Sequence, residues 1–204
     1  TSKIIITQED YARQPFYGLN QLPSFLSPFS NELMFELKFL KTYLNNYLKE
    51  NLNLNQRRDY WIADGIQMFI MMQYADEYFP DLKMTGNVAN LKILKSYHFI
   101  NLDFNQQYNY LYMLMARKNL DQPLNEPKNR LIKFNEQIAS KYRAGLSLKY
   151  LDSYLGNDIV HKSIQEYIQE NQFFGTNSRQ FETVLIKNSP KDINWFFRTV
   201  IETR

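Results

Sequence analysis

The sequence predicts a mostly α-helical domain, and three observations lead there. Leu33, Leu37, Leu40, Leu44 and Leu48 recur at three- and four-residue steps, the repeat that lines side chains up along one helix face. Only 6 glycines occur in 204 residues, too few to turn the corners of a many-stranded sandwich. A β-branched run occurs once, in the Lys-Ile-Ile-Ile-Thr of residues 3–7, and predicts a single short N-terminal strand. With 44% hydrophobic and 16% aromatic residues, the chain has enough apolar surface for a well-buried core.

After the strand, residues 17–23 are rich in turn formers, and Pro23 and Pro28 continue an extended loop. Residues 1–29 therefore form a strand and loop, and 30–204 form the helical domain. Ser30 is a suitable N-cap for a helix running to about Leu52. A second helix spans about 58–79, with Ile62, Ile66, Phe69 and Ile70 on one side, and Pro80 ends it. Residues 81–103 are mixed. Residues 105–118 are helical and rich in Tyr and Met, and the two prolines of 122–127 mark a connection. Residues 131–155 read as helix with room for a break, stopped by Gly156. Asp158 is placed to cap the next helix, on which Val160, Ile164, Tyr167 and Ile168 share a face. Gly175 precedes a helix over 178–187. Ser189-Pro190-Lys191-Asp192 has the layout of a capping box for a last helix bearing Ile193, Phe196, Phe197 and Val200. About seven helices are expected, with no internal repeat.

Several chemistries are excluded or left without support. There is no Cys, which removes disulfides, thiolate nucleophiles and thiolate metal sites together. The net charge of +3 is spread among acids, and no basic stripe suggests a nucleic-acid partner. No apolar run reaches the roughly 18 residues of a membrane span. There is no Gly-rich phosphate loop and no nucleophile elbow. The two histidines, His98 and His161, are far apart and lack a partner at four-residue spacing, so a structural role is expected for each. Trp61 and Trp195 read as core anchors. Met68, Met71 and Met72 read as packing, as do Tyr108, Tyr110 and Tyr112.

One constellation carries a resemblance. Tyr60-Trp61-Ile62-Ala63-Asp64-Gly65 opens a helix and resembles the Trp-Leu-Asn-Glu-Gly motif of the aminopeptidase N-like gluzincin family of zinc metallopeptidases. In that family the Glu is the third zinc ligand, and the other two are the histidines of His-Glu-x-x-His on the preceding helix. With Asp64 on the ligand Glu, the ungapped frame falls on Lys41-Thr42-Tyr43-Leu44-Asn45, where eighteen residues separate Asn45 from Asp64. Lys41 and Asn45 then stand at the histidine positions and Thr42 at the general base. A gapped frame uses Phe35-Glu36-Leu37-Lys38-Phe39, which keeps a Glu at Glu36 and has Phe at both ligand positions. Downstream, Tyr142 in Lys141-Tyr142-Arg143-Ala144-Gly145 resembles the oxyanion-donor Tyr of the family's Tyr-x-Lys-Gly segment, with Ala144 in place of the Lys. Leu155-Gly156-Asn157-Asp158 resembles the Leu-Gly-Asp that follows, and residues 181–192 and 195–197 resemble the last helices. Gly18-Leu19-Asn20-Gln21 stands roughly where the family has its substrate strand.

The resemblance spans most of 30–200 in the right order. It implies the helical, thermolysin-like half of a peptidase catalytic domain with a degenerate zinc site: remnant metal positions Lys41, Asn45 and Asp64, remnant catalytic positions Thr42 and Tyr142 (Glu36 in the gapped frame), and no intact ligand set. No cofactor is expected, and zinc enters only if residues elsewhere complete the site. A Lys41–Asp64 pair would fill the vacated charge position. The resemblance also implies a larger parent protein whose β-rich N-terminal part forms the other wall of a cleft, with a peptide or another domain as the partner. The opening residues read as the middle of something longer. Asn-, Lys- and Ile-rich composition is compatible with a bacterium of AT-rich genome. The cell envelope or periplasm is one compatible place, and no compartment is specified. Two further readings stand beside the pseudo-peptidase: an active aminopeptidase completed from outside this chain, and an unrelated all-helical interaction module.

Overall fold

The computed structural model of the protein describes residues 4–12, 27–87, 102–172 and 174–204, and these are mostly α-helical. The turn-rich segment at 17–23, Gly18 to Gln21 within it, and His98 lie outside the described residues.

The chain opens differently from the sequence expectation. Residues 4–7 are not a strand. The Thr7 hydroxyl accepts from the Asp10 amide at 3.1 Å, and the Asp10 carboxylate accepts from the Thr7 amide at 3.0 Å. This reciprocal pair starts a short helix, α1 (Gln8–Ala12). A lone β-branched run with no strand beside it among the described residues has no ladder to join there, so the local cap wins.

α2 (Asn31–Asn51) begins at the expected cap, the Ser30 side chain accepting from the Leu33 amide at 3.2 Å. β1 (Asn53–Leu54) follows, then α3 (Tyr60–Tyr78) and α4 (Gln106–Ala116). A π-wound turn (Asn135–Ala139) leads into α5 (Ser140–Leu155), which is the break allowed within 131–155. Gly156 closes α5 at φ 67°, where a side chain would be strained. α6 (Ile159–Asn171), β2 (Gly175–Thr176), α7 (Ser178–Asn188) and a π-wound α8 (Phe196–Ile201) complete the described chain. β1 and β2 pair in parallel, Asn53 with Gly175 and Leu54 with Thr176, and fasten the end of α2 to the segment just before α7.

Two predicted caps fall elsewhere. Asp158 adopts a left-handed conformation at φ 56°, and its side chain makes no cap bond. Ser189 ends α7 instead of starting α8. Asp192 takes over, its carboxylate accepting from the Asn194 amide at 2.9 Å. The strongest cap is on α7: Asn177 and Gln180 form a capping box, and the buried Asp59 carboxylate also accepts from the Ser178 amide at 3.0 Å. Asp59 thus caps α7 across the fold, not its own helix.

α3 is the central element. Every residue of it before Asp76 is buried or half-buried, and only its last three residues, Asp76 to Tyr78, are exposed. Trp61, Ile62, Ile66 and Phe69 enter one cluster with Leu148 and Leu151 of α5, Ile164 and Tyr167 of α6, and Phe181 of α7. Met68, Met71, Met72 and Ala75 enter a second with Leu33, Leu37 and Leu44 of α2, Phe104, and Tyr108 of α4. Trp61 is buried as expected. Trp195 is only half-buried, packed on Tyr150 and Tyr154, and is less a core anchor than Trp61. Of the tyrosines on α4, Tyr108 is buried and Tyr110 is 45% exposed, since two-residue steps turn to different helix faces.

α3 and α5 touch through small residues. A Cβ added at Gly65 would lie 3.2 Å from the Ala144 Cβ, and one at Gly145 would lie 2.4 Å from the Met68 Cβ. We expect Gly145→Ala to destabilise the domain by about 1–3 kcal/mol in urea denaturation, the usual overpacking cost, and Gly65→Ala by clearly less. Equal effects would contradict this packing.

Candidate functional site

α2 and α3 lie side by side, and the side chain of Gln67 ties them by donating to the Lys41 carbonyl at 2.8 Å. Asp64, one turn into α3, opens onto a nook of about 40 Å³, room for a water or two. Asn45 and Lys49 of α2 line it, as do Tyr60 and Gln67 of α3 and Lys128. Lys41 lies one turn from Asn45 on the same helix and is 9% exposed.

The charges here are mostly cationic. Asp64 pairs with Lys141 of α5 at 3.5 Å, both side chains partly buried. Burial is the main cause that brings the Lys41 ammonium down from 10.5 to about 8, and the nearby Lys141 adds to it. The Asp64 carboxylate pulls the other way, and Lys38 contributes slightly to the lowering. Tyr60 donates to the Glu126 carbonyl at 3.2 Å, and burial together with the Asp64 charge raises its phenol well above the usual range.

The structure therefore brings together Lys41, Asn45 and Asp64. It does not bring Tyr142 into the nook. Tyr142 is 6% exposed and packs against Tyr108 with ring centroids 4.8 Å apart. Thr42 is fully buried, its hydroxyl donating to the Lys38 carbonyl at 2.8 Å. Glu36 is on the outer face of α2, where it accepts from the Tyr74 hydroxyl, and the flanking Phe35 and Phe39 are 60% and 46% exposed. His161 sits on α6 near Asp152, whose carboxyl is raised chiefly by burial.

Sequence reasoning gave no role to Lys141 or Gln67. Lys141 stood inside a quoted motif, and its position three residues before Ala144 was the available signal. It lies one helical turn from the contact with Gly65, within reach of Asp64.

These side chains do not fit zinc. A zinc site needs at least three deprotonated nitrogen, sulfur or carboxylate donors. Near the nook stand an amide, a carboxylate already paired with Lys141, and a lysine that, with its ammonium near 8, keeps its proton in about nine molecules of ten at pH 7. Among the described residues no group of three or more His, Cys, Asp or Glu is placed to hold a metal. No helix among them is long and apolar enough to cross a membrane. Comparison with protein families, curated proteins and solved structures finds no match for this chain.

The buried Lys41 sets a pH dependence. An unfolded lysine keeps its proton to about pH 10.5, and folded Lys41 releases it near 8. Between the two, the unfolded state binds more protons, so this group makes stability rise with pH. Tyrosines such as Tyr167, raised by burial to about 12, act in the opposite direction above about pH 10, where unfolded tyrosines ionise first. We expect Lys41→Met to be more stable than the parent at pH 7, by an amount of order 1–3 kcal/mol, with the gap shrinking from pH 8 to 10. Urea denaturation across pH checks it, and a gap that does not change with pH would contradict it.

Proposed function

We infer that this chain is a degenerate, non-catalytic relative of the aminopeptidase N-like gluzincins, serving as a scaffold and as a peptide- or partner-binding wall of a former active-site cleft. One observation carries the reading. Of the positions that correspond to the family's three zinc ligands, Asn45 and Asp64 line one nook between two packed helices, Lys41 lies one turn from Asn45 where it feels the Asp64 charge, and Lys141 pairs with the Asp64 carboxylate. Ammonium groups supply the positive charge that the family's metal would otherwise bring.

The order of elements supports the same reading. A leucine-lined helix, a Trp-initiated helix and a third helix meeting it at Gly145 follow one another as the motifs do. Asp64 is one methylene, roughly 1.5 Å, shorter than the family's Glu. With an ammonium, an amide and a paired carboxylate at those positions, this reading leaves no ligand set to hold the metal that would polarise a carbonyl and generate hydroxide. An active peptidase would need histidines delivered from another segment. The orientation of Tyr142 toward Tyr108 favours the competing reading, an unrelated helical interaction module, because an oxyanion donor would have to face the nook.

Restoring the ligand set separates the two. The variant Lys41→His, Thr42→Glu, Asn45→His, Asp64→Glu, shown folded by circular dichroism, is expected to bind about one zinc per chain with a Kd of micromolar or below by calorimetry. Should four changes unfold the domain, the pair Lys41→His and Asn45→His with Asp64 retained is titrated instead. A folded variant that binds zinc no better than the parent would favour the unrelated module.

A further inference from the structure

Asn105 holds a polar atom that nothing in the described fold satisfies. The residue is 8% exposed and stands at the N-cap of α4. An Asn in that place ordinarily turns its oxygen to an amide of the first helical turn. Here it makes no cap bond. Its Nδ2 donates to the Met72 carbonyl at 2.8 Å and to the Asp76 carboxylate at 2.7 Å. These bonds use both amide hydrogens. They leave Oδ1 buried, with no hydrogen bond from any described residue. A buried carbonyl oxygen costs free energy unless a donor or a cation meets it.

Asn105 lines a pocket of about 110 Å³, room for a cation with a few waters. The last turn of α3 forms one wall through Ala75, Asp76 and Phe79, and Asp103 and Phe104 form another. The walls are held in place. The Phe104 amide donates to the Leu82 carbonyl at 2.9 Å, and the Met84 amide donates to the Leu102 carbonyl at 2.8 Å.

The charges around the pocket suit a cation. Two carboxylates line it, Asp76 and Asp103, and no basic side chain does among the described residues. The C-terminal end of α3 adds the negative pole of the helix dipole. Each carboxylate has a lysine outside the pocket, Lys83 at 2.7 Å from Asp103 and Lys149 beside Asp76. The Asp103 and Asp76 side chains are 63% and 51% exposed. Exposed pairs of this kind contribute little, so the lysines can yield to a divalent ion.

We propose that Asp76, Asp103 and the carboxamide oxygen of Asn105 form a calcium site, completed by water. All three ligands are oxygens, and calcium takes carboxylates and neutral carbonyls together. Zinc favours nitrogen and sulfur, so this set does not serve it. Magnesium demands a near-ideal octahedron, which side chains from two separate segments do not readily supply. With two carboxylates, each shared with a lysine, the affinity is weak, with a Kd of about 0.1–1 mM. The site is at the opposite end of α3 from Asp64, and nothing in it depends on the pseudo-peptidase reading.

Calcium chloride is titrated to about 10 mM into the isotope-labelled protein at constant ionic strength and followed by NMR, with magnesium chloride alongside. The expected result is saturable shifts at Asp76, Asp103 and Asn105, the side-chain carbonyl carbon of Asn105 moving among them. Magnesium should bind at least about fivefold more weakly. Asp103→Asn changes an exposed side chain and should keep the fold while weakening calcium by about tenfold, through the loss of one ligand charge. No saturation in that range, an unmoved Asn105 side-chain carbonyl, or undiminished binding by Asp103→Asn would each overturn the proposal. An equal response to magnesium would show general screening of exposed acids and overturn it too.

Discussion

The close approach of α3 and α5 is the constraint on which the rest of the structure depends. Gly65, Ala144 and Gly145 remove the side chains that would hold the two helices apart. Because α3 sends buried apolar side chains into two core clusters, it must be packed against neighbours on more than one side. α5 covers one side only by coming this close, and α2, α4, α6 and α7 then cover the others. The residues next to this contact consequently carry much of the polar structure. Lys141 reaches forward to Asp64, and Arg143 reaches the other way to gather the carbonyls of Gln122, Val200 and Thr203. One turn of α5 therefore links the nook, the core and the C-terminal helix.

The electrostatics follow from that geometry. Asp64 is near two ammonium groups, and only one carboxylate answers them. Lys41 meets this by weakening its hold on its proton, as a partly desolvated base beside another cation must. A site of this kind repels a divalent cation.

Much of this was legible in the sequence because it is local. The Leu33-to-Leu48 stripe, the Ser30 cap and the stop at Gly156 all depend on neighbours within one or two turns. The misses depend on distant partners. A strand at residues 3–7 needed another strand, and none is paired with residues 4–7. Ser189 has the right residue types for a cap, but the end of α7 claims it. Asp59 caps a helix more than a hundred residues away, which no local pattern could show. At the candidate site, the family resemblance implied that positions 41, 45 and 64 meet. It could not show that Lys141, from a third helix, would be the partner of Asp64, nor that Tyr142 would turn to Tyr108.

Zinc retention by the unaltered protein tests the central claim most directly. The tag-free domain is exposed to stoichiometric zinc, desalted and assayed by elemental mass spectrometry, beside Asp64→Ala. The account predicts well under about a tenth of an equivalent in both, because the nook presents a single carboxylate already paired with a lysine. Retention near one zinc per chain, lost on Asp64→Ala, would contradict it and restore the case for a working metallopeptidase.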